Sequence, residues 1–371
     1  MPEWARVVNT TIRKYVKGEE VNVLRDRKLT TLFEEKKRIK YNQSGEQYDW
    51  KVRVSRAPLA GYSDGDTMSF PRRNRWKTAV LPWRGLNSTD SMTKKEKLMN
   101  RNMEAIIRLY ENLGKVLLED VADQFGDQFY VDGNSVTEEL MGFESCLGEA
   151  GNTMDITSTT GGERTANVAD KFNAPNDTYA GISTQVGDLD GTWTGSWPNG
   201  SGDASFDAWS PIQVNYPSSA FSATATWAAN AKLAVREGIL QSNRNKSKRG
   251  QLDLILVTRS MYGEFLNLLD DNERFLATAA QYQGSLVKHG FRDVVNFDGV
   301  EVTSEYGVPD TVGYGLNFNA MQLCSMQDQL FYPEGPDYDI SSKSWRFSVD
   351  FFGQLELNPR TMVKWDDYKS S

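Results

Sequence analysis

Histidine and cysteine are nearly absent from this chain of 371 residues, and each scarcity removes a class of chemistry. The single histidine, His289, cannot supply a His-Glu-x-x-His zinc site or a histidine-rich metal centre, and a Ser/His/Asp triad would have to use that one residue. It stands in Lys288-His289-Gly290, where a structural loop role is expected. Two cysteines, Cys146 and Cys324, make no disulfide framework, no Cys-x-x-Cys pair and no four-ligand zinc set, which fits a reducing compartment. Long apolar runs are missing as well. Met1 to Lys17 holds no stretch of signal-peptide length, and nowhere do about 18 uninterrupted apolar residues occur, so a soluble chain that is not exported is expected. There is no phosphate loop, no Gly-x-Gly-x-x-Gly after a strand and no Gly-x-Ser-x-Gly elbow. The Asp188-Leu189-Asp190-Gly191 turn lacks the third acid and distal glutamate of a calcium loop. Nothing selects a catalytic pair among the 50 acids. No catalytic, metal or cofactor residue is therefore assigned, and the expectation is a structural or interaction protein rather than an enzyme.

What the chain does contain is globular. Hydrophobic residues at 39%, charged residues at 25%, and 17 Phe, 15 Tyr and 10 Trp exclude global disorder. The length predicts one large core or two coupled ones. Charge is distributed unevenly: residues 1 to 120 hold 25 Lys/Arg against 16 Asp/Glu, while residues 121 to 371 hold 17 against 34. The extremes are residues 36 to 84, with 12 basic and 4 acidic side chains, and residues 121 to 230, with 2 and 15. Such a split has three readings: solvated faces of opposite sign, a nucleic-acid surface, or self-association of basic parts on acidic ones. The acidic remainder weakens the second, because its field repels a polyanion.

Residues 1 to 40 are polar, with runs such as Arg25-Asp26-Arg27-Lys28, and read as an arm or short exposed helix. A strict alternation follows, with Tyr48, Trp50, Val52 and Val54 on one side and Asp49, Lys51, Arg53 and Ser55 on the other. After the turn-rich Gly61 to Asp66, extended character resumes through Met68, Phe70 and Trp76 to Pro82, so a long β-hairpin is predicted. About ten residues at ~3.3 Å each carry such a hairpin on the order of 30 Å from the body. A two-stranded ribbon is marginal by itself in water, so it must fold back on its own domain or lie on a neighbour. Pro71 suits an interrupted or edge strand.

After Gly85 the spacing turns helical. Thr93 with Glu96 matches a capping box, and Met99, Met103, Ile106, Tyr110, Leu113, Leu117 and Val121 form one stripe that reads as a packing seam. Residues 150 to 210 are rich in Gly, Ser, Thr, Asn and Asp around Trp193, Trp197 and Trp209, which predicts long loops. A helix is expected from Ser222 to Ser242, then a buried strand Leu252 to Val257 and a helix around Met261 to Leu269. Short strands should follow at Val294 to Phe297, Val300 to Thr303, Gly315 to Phe318 and Met321 to Met326, with a final extended segment from Trp345 to Trp365. The class is α+β.

This order of parts resembles the major capsid proteins of tailed bacteriophages, with the Hong Kong 97-type shell fold. Local passages similar to that family are Tyr179-Ala180-Gly181-Ile182-Ser183 with Trp209-Ser210-Pro211, Leu252 to Thr258, Phe297 to Val302 and Asn358 to Val363. The resemblance implies an N-arm at 1–40, an extended E-loop hairpin at 41–85, and a peripheral domain at 86–210 with its spine helix at 91–123 and a Gly/Ser/Trp-rich insertion. It further implies an axial domain at 211–328, peripheral strands at 329–357 and an axial C-terminal strand and tail at 358–371. The hairpin tip, Gly61 to Asp66, has no lysine for the isopeptide cross-link of the type member.

On this reading each copy lays its basic hairpin over the acidic surface of the next. The expected contact residues are Trp50, Lys51, Arg53 and Arg56 on the outgoing strand, Arg72, Arg73, Arg75 and Lys77 on the return strand, and Asp123, Asp127, Glu138 and Glu139 as acceptors. The resemblance implies a virion shell of hexamers and pentamers assembled in the host cytoplasm, with portal, scaffolding and decoration proteins as partners. It also implies packaged double-stranded DNA without sequence-specific binding, no membrane and no cofactor. The alternatives are an encapsulin-like nanocompartment shell and a carbohydrate-binding or hydrolytic protein suggested by the Trp-rich middle.

Overall fold

The computed structural model describes residues 27–55, 59, 61–72, 74–99, 103–148, 171–173, 175, 177–185, 189, 208–243, 251–269 and 293–368. Side chains are described for these except 99, 103–113 and 115. His289, Trp193 and Trp197 lie outside them. Among the described residues no helix is long and apolar enough to cross a membrane. Contacts divide the chain into two units, one made of Met1–Glu46, Pro82–Gly142 and Met321–Glu356, the other of Gln47–Leu81, Phe143–Ala320 and Leu357–Ser371.

The first unit is built on a five-stranded sheet around Ser344–Leu357, a strand of 14 residues. Tyr332–Asp339 and Arg84–Thr93 pair with it antiparallel. Met321–Ser325 also joins this sheet, ahead of residue 328, and carries Ile39–Lys40 in parallel register on its far side. Arg84–Thr93 corrects the sequence reading, which turned helical after Gly85. Arg84, Ser88 and Asp90 share the more buried face of this strand with Leu86 and Met92, so three of its five residues are polar and the alternation carries no hydrophobic signal.

The capping box does form: the Thr93 amide donates to the Glu96 carboxylate at 2.8 Å and the Glu96 amide to the Thr93 hydroxyl at 3.3 Å. It opens a short helix, Lys94–Met99, ahead of the long helix Met103–Gln128. That helix has 26 residues and so spans about 39 Å. Its C-terminal turns bury Leu118, Ala122 and Phe125, and Phe125 meets Phe331 and Phe351 edge-on at 5.3 and 4.8 Å. The helix Lys28–Glu35 buries Leu29, Leu32 and Phe33, with Phe33 stacked on Phe129 at 5.5 Å.

The second unit holds a seven-stranded mixed sheet in the order Val294–Phe297, Val300–Ser304, Leu254–Val257, Gly313–Leu316, Val363–Asp366, Ile212–Asn215, Phe172–Asn173. Leu254–Val257 is apolar at every position because, as an inner strand, it is buried along its whole length. The helices Trp227–Ser242 and Arg259–Leu268 supply Ala231, Val235, Met261 and Phe265 to one core with it. Thr258 caps the second of them by accepting from the Met261 amide at 3.4 Å. Trp365 is fully buried beneath the first, and its indole N–H donates to the Ala234 carbonyl at 2.9 Å.

One charged cluster lies inside this unit. Lys364 is 5% exposed, and its ammonium stands 2.9 Å from the Glu144 carboxylate and 3.0 Å from that of Asp366, while the Tyr314 hydroxyl donates to Glu144. Burial alone would depress the lysine pKa, but the two carboxylates hold it above the ordinary lysine range.

Candidate assembly interface

Gln47–Arg53 and Trp76–Pro82 pair as an isolated two-stranded ribbon, seven residues each. The outgoing strand keeps its predicted alternation: Tyr48, Trp50 and Val52 are half-buried, Asp49, Lys51 and Arg53 exposed. The return strand begins only at Trp76, and Pro71 lies outside it. Beyond the ribbon the chain closes through a turn in which the Asp66 carboxylate accepts from the Ser63 amide at 2.7 Å and the Asp66 amide donates to the Ser63 carbonyl at 3.1 Å.

Base and tip of this ribbon differ in kind. At the base Val54, Ala79 and Leu81 are buried, the Val80 amide donates to the Ala180 carbonyl at 3.0 Å, and Trp50 stands 6.5 Å from the Tyr179 ring. The turn that receives it, Thr178–Tyr179 against Ile182–Ser183, passes through left-handed backbone at Ala180 (φ 53) and Gly181 (φ 71). Toward the tip Leu59, Tyr62, Met68, Phe70 and Trp76 are 101, 72, 54, 90 and 54% exposed. Five large apolar side chains on one short segment constitute an unburied surface, and surfaces of that kind mark interaction sites.

The twelve expected contact residues are placed as follows. Lys51, Arg53, Arg72 and Lys77 are exposed and Arg75 is half-buried, while Arg56 and Arg73 lie outside the described residues. Trp50 packs beside Tyr179 of its own chain. Asp123 and Asp127 are both engaged by Arg27: its guanidinium pairs with the Asp123 carboxylate, donates to the Asp123 carbonyl, and stands 3.4 Å from the Asp127 carboxylate. Burial pushes the Asp127 carboxyl above the usual carboxylate range, and Arg27 opposes that rise. Both acids therefore have an ion-pair partner within their own subunit, while their side chains remain 68 and 47% exposed. Glu138 is exposed and Glu139 half-buried, and both line a cavity beside the long helix.

Sequence reasoning missed Arg27 as an anchor, because it sits in a charged run. The signal available was Gly126, a helix-interior glycine whose absent Cβ leaves room for the arginine. It also missed Trp209, which is buried and stacks on Tyr179 at 6.3 Å; this tryptophan is core and offers no face to a sugar.

No family model and no curated protein matches the chain. Solved structures do. A chain of the cyanophage A-1(L) capsid asymmetric unit is similar over 89% of this chain and 90% of its own length, with 15% identity and a TM-score of 0.55. A capsid chain of an empty GTA particle is similar over 89% of this chain and 94% of its own, with 12% identity and a TM-score of 0.51. The chain has the Hong Kong 97-type shell fold, and it is α+β.

Proposed function

From this shell fold we propose that the chain is the major capsid protein of a tailed bacteriophage, self-assembling into the icosahedral head that encloses double-stranded DNA. One observation carries the reading: the ribbon projects five large apolar side chains to solvent among exposed Lys51, Arg53, Arg72 and Lys77. A ribbon of that kind is poorly stable alone and gains stability by covering itself on another copy. Its basic charge suits the acidic region from 121 to 230, so electrostatic complementarity sets which surface it meets. Contacts of one surface on a different surface must close by symmetry or grow without limit, and an icosahedral shell is a closed solution.

In this reading the first unit corresponds to the peripheral domain with its spine helix, and the seven-stranded sheet with its two helices to the axial domain. The ribbon corresponds to the E-loop. Portal, scaffolding and decoration proteins are the expected partners, and the DNA is content rather than a sequence-read ligand, since a net charge of −8 opposes tight phosphate binding. Negative-stain microscopy of the purified protein tests the proposal: closed shells are expected, and a monodisperse monomer at all concentrations, with or without the scaffolding partner, would overturn it.

A further inference from the structure

The first unit contains a cavity of about 270 Å³ beside the long helix. Its apolar lining includes Phe125, Phe331 and Phe351, and Glu138 and Glu139 also line it. Ser88, paired with Val349 across the sheet, is one of the small residues that line it. The buried side-chain oxygen of Gln128, which also lines it, has no hydrogen-bond partner. An engineered cavity of about 150 Å³ already holds benzene, so a phenyl ring fits this one.

The chemistry of the site specifies its occupant. Three phenylalanine rings favour another aromatic ring set edge-on or offset. Two glutamates in the lining favour a cation close to that ring. The ribbon of this same protein carries that pair: Phe70 is 90% exposed and Arg72, two residues on, is exposed as well.

We propose that the cavity receives Phe70 from a second copy of the chain, with Arg72 of that copy against Glu138 and Glu139. The inference rests on the shell reading above and gives it a specific receptor. Leu59 is as exposed as Phe70 but offers no ring to the three phenylalanines.

Two experiments decide it. Particles of the double variant Phe70→Cys, Gln124→Cys, mildly oxidised, are expected to run as a ladder of disulfide-linked subunits, whereas either single variant stays monomeric on the gel because Cys146 and Cys324 are buried. Separately, Ser88→Phe fills the cavity from inside and is expected to cut particle yield about tenfold, as Phe70→Ala does, with the combined variant no worse than either. Particles without a ladder, or full yield from a folded Ser88→Phe protein, overturn the proposal. If the double cysteine variant does not assemble, the Ser88→Phe yield decides; if Ser88→Phe does not fold, the ladder decides. Particles that require residues 57–70 yet give no ladder leave the shell reading standing and remove only the receptor. Absence of particles from the unaltered protein, with or without the scaffolding partner, removes both.

Discussion

Arg27 lies across Gly126 on the long helix: a Cβ at that position would stand 2.8 Å from the arginine Nε. The missing side chain is what lets a 5% exposed guanidinium reach Asp123 and Asp127, one helical turn apart, and tie the start of the described chain to the helix.

Gly126→Ala therefore tests opposing effects. In a free helix the change would stabilise by about 1 kcal/mol. Here it must displace a buried arginine from two carboxylates, and the unassembled subunit is expected to melt at a lower temperature. In an Arg27→Ala background the same substitution should become stabilising by about 1 kcal/mol. A rise in melting temperature in both backgrounds would show that Arg27 does not act as a clamp.

Trp365 makes a similar demand on Gly238. A Cβ there would stand 2.5 Å from the indole Cζ2, with backbone of the helix on one side and the sheet on the other. Gly238→Ala is expected to cost about 1–3 kcal/mol by overpacking, read by denaturant unfolding. Neutral behaviour would mean that the helix can lift from the sheet without penalty.

The Lys364, Glu144 and Asp366 cluster predicts a pH dependence. The lysine pKa is raised in the folded chain, so its contribution is complete below the unfolded value and is lost as pH rises through the folded one. Stability attributable to this cluster should hold from neutrality to about pH 10 and fall above it. Lys364→Met removes one partner of a buried set and is expected to cost about 3–5 kcal/mol, with partial recovery on adding Glu144→Gln. If Lys364→Met is neutral in thermal unfolding, the cluster has no stabilising role.

Reversing Arg72, Arg73 and Arg75 to Glu should leave circular dichroism and melting temperature of the subunit unchanged while particle yield falls. The unaltered protein should assemble less well as ionic strength rises past about 0.15 M, where exposed charges are screened beyond ~8 Å. Undiminished yield from the reversed protein would remove the electrostatic part of the assembly account.

Legibility varied with the physics of each element. The outgoing strand of the ribbon was readable because Tyr48, Trp50 and Val52 alternate with charges. Val294–Phe297 was readable to the residue, and the Asp298-Gly299 turn after it has the two positive φ angles, 48 and 87°, that such a dipeptide accommodates. The final extended segment was legible as extended but not as two strands of different sheets. Pro359–Thr361 forms a short 3-10 turn there, and only the pairings of Ser344–Leu357 and Val363–Asp366 separate them. The pairing of Asp123 and Asp127 with Arg27 was not legible because the arginine lies about a hundred residues away in sequence.

Composition and local pattern by themselves determined most of the element types, the charge asymmetry, the lack of catalytic and metal motifs, and the basic character of the ribbon, because each depends on neighbours within a few residues. Tertiary structure alone decided which acids have an ion-pair partner in their own subunit, that Trp209 is core, and where a cavity lies beside the long helix. Those outcomes depend on the distance between side chains remote in sequence, and no local periodicity encodes that distance.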